Sequence, residues 1–136
     1  MIQHHILDAS NYAYIEVRQA PPLAEFLRAA RLFMADQHFS DKLHRICDFS
    51  QANLSHITQG ELIKFVHFAN TRIKLHPAAR CALVAPDDHR GGVFKAFAQQ
   101  LKNANIRVFQ QPEDAVAWVT QQVAAVKFDK ILGGVA

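Results

Sequence analysis

At 136 residues, half of them hydrophobic and a fifth charged, the chain is long enough to bury a core as one domain and lies far from the disordered class. Its formal charge of +3 is small and its cations are dispersed, without the run or stripe that marks a nucleic-acid or anionic-lipid footprint. The two cysteines, Cys47 and Cys81, sit in separate apolar runs, which argues against a disulfide scaffold or a paired-Cys zinc site and predicts buried free thiols.

The opening residues Met1 to Asp8 lack the charged start, long apolar stretch and small-residue cleavage site of a secretory signal. No apolar run approaches the roughly 20 residues of a membrane span. A cytoplasmic protein without a membrane span is the expectation.

Ile2 to Leu7 and Tyr12 to Val17 read as short strands, the second with period-two alternation. Asp8-Ala9-Ser10-Asn11 between them is turn chemistry, so the pair predicts an antiparallel hairpin. Pro21-Pro22 ends the hairpin and suits a helix start. Leu23, Phe26, Leu27, Ala30 and Phe33 then recur at three and four as one apolar stripe, fading near Asp36.

Leu43 to Phe49 predicts the third strand, followed by a polar loop from Ser50 to His56. Thr58 and Glu61 form the T-x-x-E pattern of a capping box, which serves two orphan N–H groups at a helix start. Leu62, Phe65, Val66, Ala69 and Ile73 give that helix its inner face, and His76-Pro77 closes it.

Cys81 to Ala85 is short and almost continuously apolar, as in a strand covered on both faces. A loop from Pro86 to Gly92 follows, then an amphipathic helix carrying Val93, Phe94, Phe97, Ala98 and Leu101. Ile106 to Phe109 is the last strand. Pro112-Glu113-Asp114 starts the last helix with negative charge at its positive end, and Ala115, Val116, Val119 and Val123 line its inner face.

The order β-β-α-β-α-β-α-β-α predicts right-handed crossovers and an α/β fold: a mixed, mostly parallel sheet of about five strands with an N-terminal hairpin and four helices. Residues 1–126 form one domain, and the tail 127–136, with Gly133-Gly134, is expected to fray.

This order resembles the STAS domain family, in particular its SpoIIAA-like bacterial branch of small proteins. The likeness is carried by Asp48-Phe49-Ser50 closing the third strand, by Val84-Ala85-Pro86-Asp87-Asp88 closing the fourth, and by Val108-Phe109 followed by Glu113-Asp114-Ala115-Val116-Ala117-Trp118-Val119. It spans roughly Ile2 to Gln122 and implies a mixed sheet with helices mainly on one side. It also implies a regulatory module that binds a protein partner and is released by phosphorylation of a serine in an Asp-Ser-Ser-Gly segment. Here that segment reads His56-Ile57-Thr58-Gln59, so the resemblance places the phosphorylation site at Thr58 while the acidic residue and the glycine are absent. The plain alternative for Thr58 is the N-cap alone, although phosphate at a helix N-terminus is electrostatically favourable.

Of the eight histidines, His4 and His5 are neighbours in a strand and face opposite ways, and the rest lack ligand spacing, so neither metal nor cofactor is expected. Asp87, Asp88, Arg90, Gly91 and Gly92 occupy a strand-to-helix loop of the kind where open α/β sheets bind ligands, but without a phosphate-loop motif. Asp48, His56, Asp87 and His89 form the weak acid–base set, and no nucleophile elbow accompanies it. A partner or ligand surface is therefore expected at Asp48, Ser50 and His56 joined by Asp87 to Gly92. Phe65, Phe68, Phe94 and Phe97 are the expected lining of an apolar cavity, should one exist. The functional expectation is a non-catalytic regulatory or binding module acting through an unidentified protein partner, able to form homodimers through its edge strand. The alternative is a carrier of a small apolar, lipid-like or anionic ligand.

Overall fold

A computed structural model describes residues 1–73, 76–85 and 105–120. Strands β1 (Ile2–Leu7), β2 (Tyr12–Gln19), β3 (His44–Ala52), β4 (Cys81–Val84) and β5 (Ile106–Phe109) form one sheet in chain order. The β1–β2 pair is antiparallel and every later pair is parallel. This is the mixed, mostly parallel sheet expected. The hairpin turn is a single 3-10 turn at Asp8–Ser10, closed by Asn11 in the left-handed conformation that Asn tolerates better than most residues. The loop after the third strand begins later than expected, because β3 runs on to Ala52 alongside the end of β2.

Helix α1 (Leu23–Met34) follows the Pro21-Pro22 break, with Pro22 as its N-cap, and α2 (Gln59–Arg72) begins at Thr58. A third helix, α3, covers residues 112–120. The helix expected over Val93 to Leu101, its preceding loop and the tail lie outside the described residues.

Period two divides the sheet into two faces. Ile46, Ala82 and Val84 share one face with Tyr12 and Tyr14, and α3 seats Ala115 and Val119 on it as a fully buried cluster. The guanidinium carbons of Arg80 and Arg107 stand over the ring of Trp118 of α3, 4.8 Å and 5.2 Å from its centroid, and Arg80 also donates to the Trp118 carbonyl at 2.8 Å. The opposite face carries Ala13, Ile15, Arg45, Cys47, Phe49, Cys81 and Leu83, by register. Helices α1 and α2 cover this second face. Both are crossovers between neighbouring parallel strands taken in the same direction, so right-handedness puts them on the same side. Helix α3 follows β5, is not a crossover between described strands, and lies on the other side.

Candidate functional site

The two faces are packed differently. Under α3 the sheet is dense, whereas between the sheet and helices α1 and α2 there is a cavity of about 310 Å³. Its room comes from small residues: Ala29 and Ala30 of α1 and Ala69 of α2 face it where larger side chains would fill it. Its floor is the alternate-residue face of the strands, with Ile2 and His4 from β1, Ile15 and Val17 from β2, Cys47 and Phe49 from β3, and Leu83 from β4.

The cavity has two unlike ends, because α1 runs back along the sheet. Toward the strand C-termini stand three aromatic rings: Phe26 of α1 is stacked on Phe49 of β3 at 6.4 Å between centroids and edge-on to Phe65 of α2 at 5.9 Å. Toward the strand N-termini stands Arg45 of β3, only 4 % exposed. Its guanidinium lies over the rings of Phe33 and Phe39, at 5.2 Å and 5.4 Å, and Phe33 and Phe39 meet edge to face. Burial pulls the Arg45 pKa below its ordinary value, while the Cys81 and Cys47 thiols and Asp41 act in the opposite direction. The cation is thus desolvated in the folded protein.

Cys81 is the register partner of Arg45, and Cys47 lies two residues farther along β3 on the same face. Both thiols are free, as the sequence predicts, and both border the cavity, half-buried where the sequence predicts buried thiols. A hydrogen bond between them, together with burial, pushes the Cys47 pKa up and keeps it a thiol. His4 closes the same side: its Nε2 pairs with Asp36 Oδ2 at 2.9 Å and its ring meets Phe33 edge-on. His5 is exposed, as alternation requires.

The residues singled out in the sequence are dispersed over this frame. Asp48 is buried on the α3 side of the sheet, across from the cavity. It accepts hydrogen bonds from the Tyr14 hydroxyl and from the backbone N–H and hydroxyl of Ser50, at 2.9 Å and 2.6 Å. Burial, and then the Asp48 bond and charge, push the Tyr14 phenol well above its ordinary 10.0. His56 bonds the Pro21 carbonyl at 2.8 Å and so ties the loop before α2 to the start of α1. Asp48 and Ser50 are therefore brought together, with Tyr14, whereas His56 is engaged elsewhere with the Pro21 carbonyl. Thr58 is exposed and makes the complete capping box: its Oγ1 accepts from the Glu61 N–H at 3.1 Å and its N–H donates to Glu61 Oε1 at 3.2 Å. Phe65 borders the cavity and Phe68 packs against Phe65 at 6.4 Å, outside the lining. Asp87, Asp88, His89, Arg90, Gly91, Gly92, Phe94 and Phe97 lie outside the described residues. Among the described residues no group of three or more His, Cys, Asp or Glu is placed to hold a metal ion, and no helix is long and apolar enough to cross a membrane.

Sequence reasoning passed over Arg45, Cys47, Phe26 and Phe33 as site residues. A signal was present: in Leu43 to Phe49, alternation puts Arg45 on the same face as Cys47 and Phe49, a charge on the apolar face of a central strand.

No protein-family model matches the chain, and no curated protein matches it. Among solved structures the chain is similar to an uncharacterized protein from the DUF3478 family with a SpoIIAA-like fold from Shewanella loihica PV-4. The two share 10% sequence identity and superpose with a TM-score of 0.59 over 88% of this chain and 92% of the other. The class defined here is therefore an α/β domain with a SpoIIAA-like fold, with a cavity among its described residues between the sheet and helices α1 and α2.

Proposed function

We propose that this chain is a non-catalytic binding module that carries a small apolar ligand between its sheet and helices α1 and α2. The single observation behind this is the cavity itself. Its volume of about 310 Å³ falls at the lower end of the roughly 300–1,000 Å³ of ordinary ligand sites, and its walls are apolar with a few polar groups at defined places. Of the polar candidates for catalysis, the two among the described residues are occupied otherwise, Asp48 with Tyr14 and Ser50, His56 with the Pro21 carbonyl.

The test is saturable binding of the neutral apolar fluorophore N-phenyl-1-naphthylamine, compared between the parent and Ala30→Leu. The added side chain occupies the cavity, so the variant is expected to keep its fold by circular dichroism and lose at least about ten-fold in affinity. Equal binding by both proteins, or none by the parent, would overturn the assignment.

A second reading, a partner-binding switch at Thr58, draws on the exposure of Thr58 together with that of Ile63, five residues on in α2 and 54% exposed. A phosphate at this position would meet the free N–H groups of the first turn of α2.

A further inference from the structure

We propose that Cys47 and Cys81 are a redox-active dithiol, which a peroxide closes to a disulfide between β3 and β4 on the floor of the cavity. This goes beyond the ligand reading and does not depend on it. Three observations carry it.

The first is placement. Strands β3 and β4 are parallel neighbours, with Arg45 opposite Cys81 and Cys47 opposite Leu83. Cys47 and Cys81 are therefore diagonal neighbours, one strand apart and two residues along, and alternation turns both to the same face. They are the two cysteines of the chain, and their thiols are hydrogen-bonded to each other. The diagonal spacing is long for a disulfide, so closure draws the two strands together and leaves a bond that is readily reduced again. Such a bond suits a reversible switch better than a permanent staple.

The second is access. Both thiols are half-buried and border the cavity, so a small oxidant that enters the cavity reaches them. A cysteine packed wholly inside a core is inert.

The third is unequal acidity. The hydrogen bond from Cys47 lowers the Cys81 pKa; burial opposes this and the nearby Arg45 charge adds to it. Cys47, the donor, stays a thiol. Cys81 is therefore the attacking sulfur and Cys47 the resolving one.

The chemistry then runs in two steps. The Cys81 thiolate attacks one peroxide oxygen, the O–O bond breaks, and the second oxygen takes up the proton that Cys81 lost and leaves as water or an alcohol. Cys81 is now a sulfenic acid. The Cys47 sulfur attacks the Cys81 sulfur and forms the S–S bond, and the Cys47 proton departs with the hydroxyl as water. Two thiols have given two electrons and two protons to the peroxide, and closure occurs once per chain.

The experiment is oxidation of the reduced full chain with hydrogen peroxide, then N-ethylmaleimide and intact-mass spectrometry under denaturing conditions. The parent is expected to pass from two maleimide adducts to none, as a monomer lighter than the reduced chain by two hydrogens, and dithiothreitol is expected to restore both adducts. With two cysteines in the chain, that mass identifies the Cys47–Cys81 bond. Cys47→Ser keeps a donor beside Cys81 and removes the resolving thiol, so Cys81 is expected to stop at the sulfenic acid and be trapped by dimedone. In Cys81→Ser, trapping at Cys47 is expected to be slower by about ten-fold or more, because less of that thiol is ionised. The parent result is decisive even where a serine variant does not fold. Two maleimide adducts surviving peroxide, oxygen adducts without the loss of two hydrogens, or disulfide-linked dimers alone overturn the dithiol. Equal trapping in the two folded serine variants overturns the roles given to Cys81 and Cys47.

Discussion

Asp48 shows how a residue that looks catalytic becomes structural. A carboxylate within a strand, with a serine two residues on, is what an acid–base site and a strand-to-strand clasp have in common. The difference lies in Tyr14, which arrives from β2 and is 34 positions away in the chain. That partner cannot be read locally, and neither can the burial of Arg45, since both depend on which strands become neighbours. The clasp has a pH signature. The folded-state pKa of Tyr14 is raised, so its contribution is fully present below the unfolded value of 10.0 and is lost as pH rises toward the higher folded value. Urea unfolding of the parent is therefore expected to weaken above about pH 10 more steeply than that of Tyr14→Phe, which cannot ionise at this position. Parallel pH dependence of the two proteins would show that Tyr14 is not held in its protonated form. At neutral pH the variant is expected to be less stable by about 1 kcal/mol, because a donor to a buried carboxylate is gone.

The elements were legible where their signals are local. The hairpin, the Pro21-Pro22 break and the start of α2 at Thr58 all follow from residues within a few positions of one another. The side of the sheet taken by each helix was not legible in that way. Helices α1 and α2 share a side because both are crossovers, and α3 takes the other because Ala115 and Val119 find Ile46, Ala82 and Val84 there. Thr58 belongs to this scale, since its cap sets where α2 begins and so where Phe65 and Ala69 meet the cavity. Thr58→Ala is expected to cost about 1 kcal/mol in urea unfolding, whereas Thr58→Asp, another good cap, costs a few tenths at most. If capping is the whole role of Thr58, intact-mass spectrometry of protein from its native cells shows no phosphate, and Thr58→Asp behaves as the parent. A phosphorylated fraction would instead support the partner-binding switch.

At the scale of the molecule, the sheet separates a dense half from an accommodating one among the described residues. On the α3 side, Ile46, Ala82, Val84, Ala115 and Val119 are buried together, and the Arg80 and Arg107 guanidiniums lie over the Trp118 ring. On the α1–α2 side, Phe26, Phe49 and Phe65 are only partly covered and the space between them is open. Local opening free energy follows buried apolar contact, so the two halves should not be equally stable. Amide hydrogen exchange is expected to be slowest in β3 and β4 and faster in α1 and α2. A ligand that binds only the folded state stabilises it by mass action, by about 2.7 kcal/mol at a hundred times its dissociation constant. For N-phenyl-1-naphthylamine in the cavity, added protection should fall first on α1, α2 and the sheet residues beneath them, because these elements open locally and the ligand lies against them. Helix α3 lies across the sheet from the cavity and should gain protection only in amides that exchange through global unfolding. Protection concentrated on α3, with α1 and α2 unchanged, would place the ligand on the wrong side of the sheet and remove the physical basis for treating the α1–α2 side as the working half of the molecule.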